Sequence, residues 1–297
     1  MQFSVVIPAH RAARWLPATL SSVTRQTCPD WELIVVEDGI HDDTAAIVRN
    51  FEGRVTQPVR LIRHQSSRGV SHARNLLLRE ARGGFIAFLD ADDLWASDHL
   101  AAAARCFAAG ADVAFSGVTF IDAAGLALPG TAEPSAADLA NIAPVMFRYN
   151  FVQCTSTLSL RRSWVARVGG FDPSLSHGED LDLWLRLLAA GAVWRYTGRT
   201  SCAYRKHAQS AMGQTRLATA RLTAFYEKQL GNALIPRGQR RAALIDNLRV
   251  NARFSWRDDP RSAAASFQRI AQLQPWNPAA LAGWFVAAAR SRLSRHA

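Results

Sequence analysis

Residues 3–93 alternate short apolar runs with amphipathic ones, and that alternation limits the fold more than any other feature of the chain. SVVIPA, WELIVVED, VRLIRH and FIAFLD are rich in β-branched and large apolar residues. Strands buried on both faces of a sheet have this composition. Between them lie three segments with helical spacing. RWLPATLSSVTRQT sets Leu16, Leu20 and Val23 on one side, and HDDTAAIVRNF offers Asp42 or Asp43 as its N-cap. GVSHARNLLLREARG aligns Val70, Ala73, Leu77 and Ala81, with a glycine just past its end. Strand–helix alternation of this kind predicts an α/β fold: a Rossmann-like, mostly parallel sheet flanked by helices.

The pattern changes beyond residue 93. SDHLAAAARCFAAG predicts a helix capped by Ser97, and DVAFSGVTFIDAAGLAL a hairpin turning at Asp122–Gly125. Residues 126–150 read as loop with one short helix. CTSTLSL reads as a strand, and AVWRYTGRTSCAY as extended chain. GEDLDLWLRLLAAG reads as an amphipathic helix with Leu181, Trp184, Leu185 and Leu188 inward. From about residue 213 the pattern is wholly helical, an all-helical C-terminal extension. DPRSAAASFQRIAQLQPWNPAALAGW resembles one helix–turn–helix of tetratricopeptide type. A single such unit reads as a helical cap, not an array.

Hydrophobic residues make up 49% of the 297, enough for a packed core. No basic segment precedes the first strand, so a cleaved signal peptide is not expected. PAALAGWFVAAA is too short to span a bilayer. Cys28, Cys106, Cys154 and Cys202 form no CxxC, which supports neither a zinc knuckle nor a disulfide framework. Buried reduced thiols in a cytoplasmic protein are expected instead. The net charge is +11, and residues 231–297 hold 11 Arg, no Lys and 3 Asp, so the basic excess belongs to the tail. Such a tail suits anionic lipid or nucleic acid, or is simply a solvated surface. No helix-turn-helix or RNA-binding signature accompanies it, so a nucleic-acid partner is not expected. NPAALAGWFVAAARSRLSRHA places Leu281, Trp284 and Phe285 close together on a helix, followed by Arg290, Arg292 and Arg295. One reading is a peripheral helix at the inner face of a membrane; the other packs Trp284 and Phe285 around Phe267.

In open parallel sheets, ligands bind beyond the carboxyl ends of the strands. Those ends are Pro8-Ala9-His10, Glu37-Asp38-Gly39, His64 and Asp90-Ala91-Asp92-Asp93, expected on one rim. PAHRAAR stands where a dinucleotide fold needs G-x-G-x-x-G, and no P-loop motif occurs, which argues against NAD, FAD and P-loop chemistry. Three carboxylates arrive together after FIAFL, and like charges repel unless a cation sits between them. A hard divalent cation, Mn²⁺ or Mg²⁺, bridging a substrate diphosphate would serve. The alternative is that Asp92 or Asp93 caps the next helix.

These stretches together resemble glycosyltransferase family 2. The match runs through FSVVIPAHRAARWLPATLSSVTRQTCPDWELIVVEDGIHDDT and RGVSHARNLLLREARGGFIAFLDADD, then GGFDPSLSHGEDLDLWLRLLAAG and YRKHAQS, covering roughly residues 2–212. The resemblance implies a GT-A fold, a nucleoside-diphosphate sugar donor, a divalent metal and inversion at the anomeric carbon. It implies a GT-A domain over 1–212, with 1–93 binding the nucleotide sugar and 94–212 facing the acceptor, and a helical extension over 213–297. By the same resemblance Pro8, Ala9, Glu37 and Asp38 lie at the nucleobase, and Gly69 and Arg74 near the nucleotide and diphosphate. Arg74 could equally be a helix-surface ion pair. Asp90-Ala91-Asp92 matches the family's D-x-D, with Asp92 the direct metal ligand and Asp90 reaching ribose or donor sugar, or joining the metal. His207 matches a histidine that completes the metal shell in some members. Ile40 and His41 depart from the family's usual Ser-Thr, leaving the base open. Inverting transfer needs one group to take the acceptor's proton. Glu179-Asp180 matches the family's E-D pair, whose Asp is the base; as acids in a first helical turn they could also be ordinary caps. Asp182 is expected to point away from Asp180. The acceptor implied is a glycan or lipid-linked glycan of the cell envelope. A GT-A domain that binds nucleotide or sugar without turnover is the rival reading.

Overall fold

The structure is a computed structural model and describes residues 2–39, 42–208 and 215–293. Ile40, His41, the expected boundary at 212/213 and Arg295 lie outside the described residues. The chain divides into two compact units, Met1–His207 and Ala208–Ala297.

The first unit opens with the expected alternation: β1 (Phe3–Ala9), α1 (Leu16–Thr24), β2 (Trp31–Asp38), α2 (Thr44–Glu52), β3 (Val59–His64), α3 (Val70–Glu80) and β4 (Phe85–Phe88). It continues through β5 (Leu94–Trp95), α4 (His99–Ala108), β6 (Val113–Phe115), β7 (Val118–Ile121) and β8 (Ala127–Ala132). Then come α5 (Ala136–Ala140), α6 (Ile142–Arg148), β9 (Leu158–Arg161), α7 (Ser163–Val168), α8 (Glu179–Ala189), β10 (Trp194–Tyr196) and β11 (Cys202–Arg205). The main sheet has the order β10-β6-β9-β4-β1-β2-β3. β4, β1, β2 and β3 run parallel, as do β10 and β6, while β9 is antiparallel to both its neighbours. The sheet is therefore mostly parallel, with one reversed strand in its middle.

Alternation within the strands explains the two layers. Val5, Ile7 and Val35 face α1, α2 and α4, where Leu16, Leu20, Val48 and Phe107 bury them. Val6, Ile34 and Val36 face the other way, onto Ala73 and Leu77 of α3, in a cluster that includes Trp184 of α8. β2 is buried on both faces along its whole length, which is why it reads as a continuous apolar run.

Some local expectations need correction. Asp98, not Ser97, precedes α4 as its N-cap. Residues 126–150 hold a strand and two helices, because the short runs of β8, α5 and α6 carry too few periods to be seen. Val70 is exposed, since it begins α3 at the rim. On α8 the buried apolar positions are Leu183, Trp184, Leu185 and Leu187, with Leu181 and Leu188 only half-buried. Cys28 is half-buried rather than buried, and Cys154 and Cys202 meet with sulfurs 3.9 Å apart.

The second unit contains α9 (Thr215–Gln229), α10 (Arg237–Ser255), α11 (Pro260–Leu273) and α12 (Pro278–Leu293). Leu244, Leu248, Ile270, Leu273 and Ala280 form its core. Asp259 caps α11, and its side chain accepts a bond from Ser262 N. No helix among the described residues is long and apolar enough to cross a membrane.

Candidate active site

Parallel pairing puts the carboxyl ends of β1, β2, β3 and β4 on one rim, as the topology requires. Pro8 and Ala9 pair in register with Val36 and Glu37. Glu37, on the opposite face of β2 from Asp38, is paired with Arg63 of β3 rather than turned toward the rim. Asp38 is held by four donors. Its Oδ1 accepts from Arg68 N at 2.9 Å and contacts His64 Nδ1 at 3.0 Å, and its Oδ2 accepts from Gly69 N and Ser67 Oγ, each at 2.8 Å. Burial alone would push this carboxyl up, but the bonds from Arg68, His64, Ser67 and Gly69 win and hold it below the ordinary value. Asp38 thereby fixes the backbone that starts α3. Gly69 is its N-cap at φ 93°, a left-handed conformation that a side chain rarely adopts.

Five residues on, α3 delivers Arg74 to the middle of the site. Its guanidinium is buried and donates to Glu179 Oε1 at 2.8 Å, to Asp90 Oδ1 at 2.9 Å and to Thr155 Oγ1 at 2.9 Å. Arg74 is thus no surface ion pair. It bridges the D-x-D after β4 to the E-D pair at the start of α8. Asp90 and Glu179 push its pKa up against the effect of burial, so it stays charged.

The three clustered carboxylates are separated by their partners. Asp90 faces Arg74 with one oxygen, and its Oδ2 accepts from Thr155 Oγ1 at 2.6 Å. Asp92 Oδ2 meets His207 Nε2 at 2.8 Å. Asp93 is fully buried; its Oδ2 accepts from Ser156 Oγ at 2.6 Å and its Oδ1 from Arg205 N at 2.9 Å. Burial and the neighbouring acids push Asp92 up, and push Asp93 well above the carboxylate range. Ala91, between Asp90 and Asp92, is buried, and its carbonyl accepts from Thr19 Oγ1 at 2.9 Å.

A small second sheet explains why His207 arrives. β5 follows Asp93 directly, β11 directly precedes Lys206 and His207, and the two pair antiparallel with Cys202 opposite Trp95. The pairing folds the chain end back onto the D-x-D. The Trp15 ring lies tilted against the His207 ring, centroids 4.1 Å apart, and its N–H donates to Ala123 O at 3.1 Å. Arg205 donates through Nε to Asp92 O at 2.7 Å and through a terminal nitrogen to Asp122 O at 3.0 Å. The D-x-D is therefore braced to the hairpin turn.

Asp92 and His207 bring one carboxylate oxygen and one imidazole nitrogen together, a donor pair that fits Mn²⁺ better than Mg²⁺, which prefers oxygen alone; water and phosphate oxygens would fill the remaining positions. Asp93, Cys154 and Cys202 also place three ligand atoms within 4.8 Å of one another. Burial pushes both thiols up and Asp93 is already bonded twice, so that cluster reads as core.

Asp180 opens α8 beside Glu179, after Gly178 in a left-handed conformation. It is half-buried, and its Oδ1 accepts from Leu181 N at 2.7 Å. Burial first and the adjoining Glu179 second push its pKa up to about 6, partly opposed by Arg74. Asp182 is fully buried and pairs with Arg186 at 2.8 Å, apart from this group. Thr155, Ser156, Arg205 and Trp15 were not singled out in the sequence. Thr155–Thr157 form a short 3-10 turn rather than the start of the strand expected over CTSTLSL, which begins only at Leu158; their three buried hydroxyls were the visible signal, since buried hydroxyls need partners.

Replacing Arg74 by Met should destabilise the unit by about 3 kcal/mol, the lower end for breaking a buried pair because Asp90 is a quarter exposed. Denaturant unfolding of both proteins measures this, and an unchanged midpoint would show that the bridge carries no net stability.

Known proteins resemble the chain in sequence and in fold. The glycosyl transferase family 2 model matches residues 4–165. A relative from Escherichia coli, named UDP-Glc:alpha-D-GlcNAc-diphosphoundecaprenol beta-1,3-glucosyltransferase WfgD, is 37% identical over 97 residues. That stretch covers 33% of this chain and 37% of the relative, so the chain matches little more than a third of that protein's length. S. aureus TarS, solved with UDP-GlcNAc, superposes with a TM-score of 0.67 at 17% identity, covering 92% of this chain and 81% of that one. The mannosyltransferase PcManGT of Pyrobaculum calidifontis, solved with GDP-Man and Mn²⁺, gives 0.64 at 19%, covering 98% and 80%. With more than half of its residues inside the family model, and the fold of these enzymes around its carboxylates, the chain belongs to glycosyltransferase family 2.

Proposed function

We propose that this glycosyltransferase moves a sugar from a nucleoside-diphosphate donor to an acceptor hydroxyl with inversion, assisted by a divalent cation. The observation that carries the reading is the Arg74 bridge. It holds the donor-end carboxylate Asp90 and the helix-start acid Glu179 on one guanidinium, which keeps Asp180 next to the place where the donor would react.

The geometry supports the following roles. The rim at Pro8, Ala9 and Asp38 receives the nucleotide, and Gly69 opens α3 there without a side chain in the way. Asp92 and His207 would hold the cation, with Asp90 close by. A bound cation supplies counter-charge to the leaving diphosphate. Asp180 takes the acceptor proton: it is the acid whose surroundings raise its proton affinity toward neutrality without a direct cationic partner tying up its oxygens. Glu179 spends its charge on Arg74 and orients the turn.

The acceptor is proposed to be a lipid-linked glycan of the cell envelope, reached from the cytoplasmic side. The support is the Escherichia coli relative, whose name assigns it a diphosphoundecaprenol-linked sugar as acceptor. The relevant experiment is a screen of UDP- and GDP-sugars with Mn²⁺ and Mg²⁺, reading released nucleoside diphosphate with and without a polyprenyl-diphosphate sugar acceptor. Acceptor-dependent release from one donor is expected. Nucleotide-induced thermal stabilisation with no release from any donor would favour a binding domain without turnover.

A further inference from the structure

α12 is packed by one ridge only. Ala280 and Ala287 are buried, and Gly283 lies so close to α11 that a Cβ there would sit 2.8 Å from a Phe267 ring carbon. That ridge fixes the outward face, which carries Leu281, Ala282, Phe285, Val286 and Ala289, all exposed. No charged or hydrogen-bonding aliphatic side chain occurs anywhere from Pro278 to Ala289. A helix on the surface of a globular unit ordinarily turns polar residues outward. Here Phe285 is 65% exposed, so the expected packing of Phe285 around Phe267 does not occur; Trp284 is half-buried against its neighbours. The turn that leads into α12 presents Trp276 at 95% exposure. At the other end the first charge is Arg290, stacked over Trp256 at 5.5 Å.

We infer that the outward face of α12, with Trp276 at its head and Arg290 flanking its foot from the packed side, is a membrane-surface binding site for anionic phospholipid. The apolar stretch is about 18 Å long, too short to cross a bilayer and suited to lying in its interface. Trp favours the headgroup boundary, where its ring is buried and its N–H stays wet. The charge selects the occupant. Residues 231–297 carry eleven Arg against three Asp, so a second copy of this unit would be repelled and an anionic surface attracted. The inference rests on the second unit alone and does not depend on the proposed catalysis.

The test is flotation of the full chain with vesicles of phosphatidylcholine alone or mixed with phosphatidylglycerol, at low and high salt. Salt-sensitive binding to the mixed vesicles is expected. Trp276→Ser with Phe285→Ser should weaken it roughly tenfold or more through lost apolar burial. Arg290→Gln should weaken the anionic preference roughly fivefold. Both apolar positions are exposed, so an unchanged circular dichroism melt should accompany the loss. Undiminished flotation of the double variant overturns the inference. So does a self-association in light scattering that the double variant abolishes while flotation persists, because the face then belongs to a second copy. Donor turnover on a water-soluble acceptor should be unaffected by the double variant, which keeps failure of this inference distinct from failure of the catalytic reading.

Discussion

Asp180→Asn should lower kcat by roughly 10²–10⁴-fold while leaving donor binding intact, because general-base catalysis is typically worth that much. The substitution is nearly silent structurally. Asn keeps an oxygen for the Leu181 N–H that Asp180 now accepts at 2.7 Å, and only proton affinity is lost. Glu179→Gln is the control. It retains an oxygen for Arg74, so a smaller effect is expected, and full activity of Asp180→Asn beside a dead Glu179→Gln would exchange their roles. The pH profile gives the same assignment a second test. The base must be unprotonated to act, and burial beside Glu179 raises Asp180 to about 6. Activity in kcat/KM should therefore be present above that pH and fall as pH drops through it. A profile flat down to the ordinary carboxylate range would remove Asp180 from the role.

Asp92→Ala should reduce turnover by about 10²–10³-fold, the range for removing a group that stabilises developing charge, and a chelator should do the same to the unaltered protein. Asp93→Asn separates the neighbouring acids. Asp93 is fully buried and spends its oxygens on Ser156 and the backbone of Arg205, so its replacement should alter stability more than turnover. Full activity in excess chelator, or equal losses for Asp92→Ala and Asp93→Asn, would dismiss the proposed division between a cation-holding acid and a structural one.

The strands and helices up to residue 93 were legible because buried parallel strands announce themselves as apolar runs, and the D-x-D and E-D because they are contiguous. β9 was legible as a strand within CTSTLSL, but its reversed direction was not. Its pairing with β4 and β6 is a tertiary choice that no local period records. Thr155 and Ser156 escaped notice for a related reason: their bonds reach residues more than sixty positions away, so the cluster of hydroxyls did not say which groups it serves. His207 could be flagged by resemblance, yet its contact with Asp92 depends on a two-residue strand, β5, too short for periodicity to show. Arg74 was ambiguous between surface and site until its burial was known.

Asp38 and Arg74 sit at the two ends of one short lever. The first clamps the backbone at Gly69, and the second is carried about 7.5 Å further along the same helix to the acids of α8. On the proposed roles, nucleotide recognition and placement of the catalytic base are therefore not separable modules. A change that re-aims the loop at residues 67–69 to suit another nucleotide also tilts Arg74, and with it the grip on Asp90 and Glu179. Donor specificity in such a scaffold would drift under constraint: variants that accept a new base should first lose speed, and regain it through second substitutions around α3 and α8 rather than at the nucleotide itself.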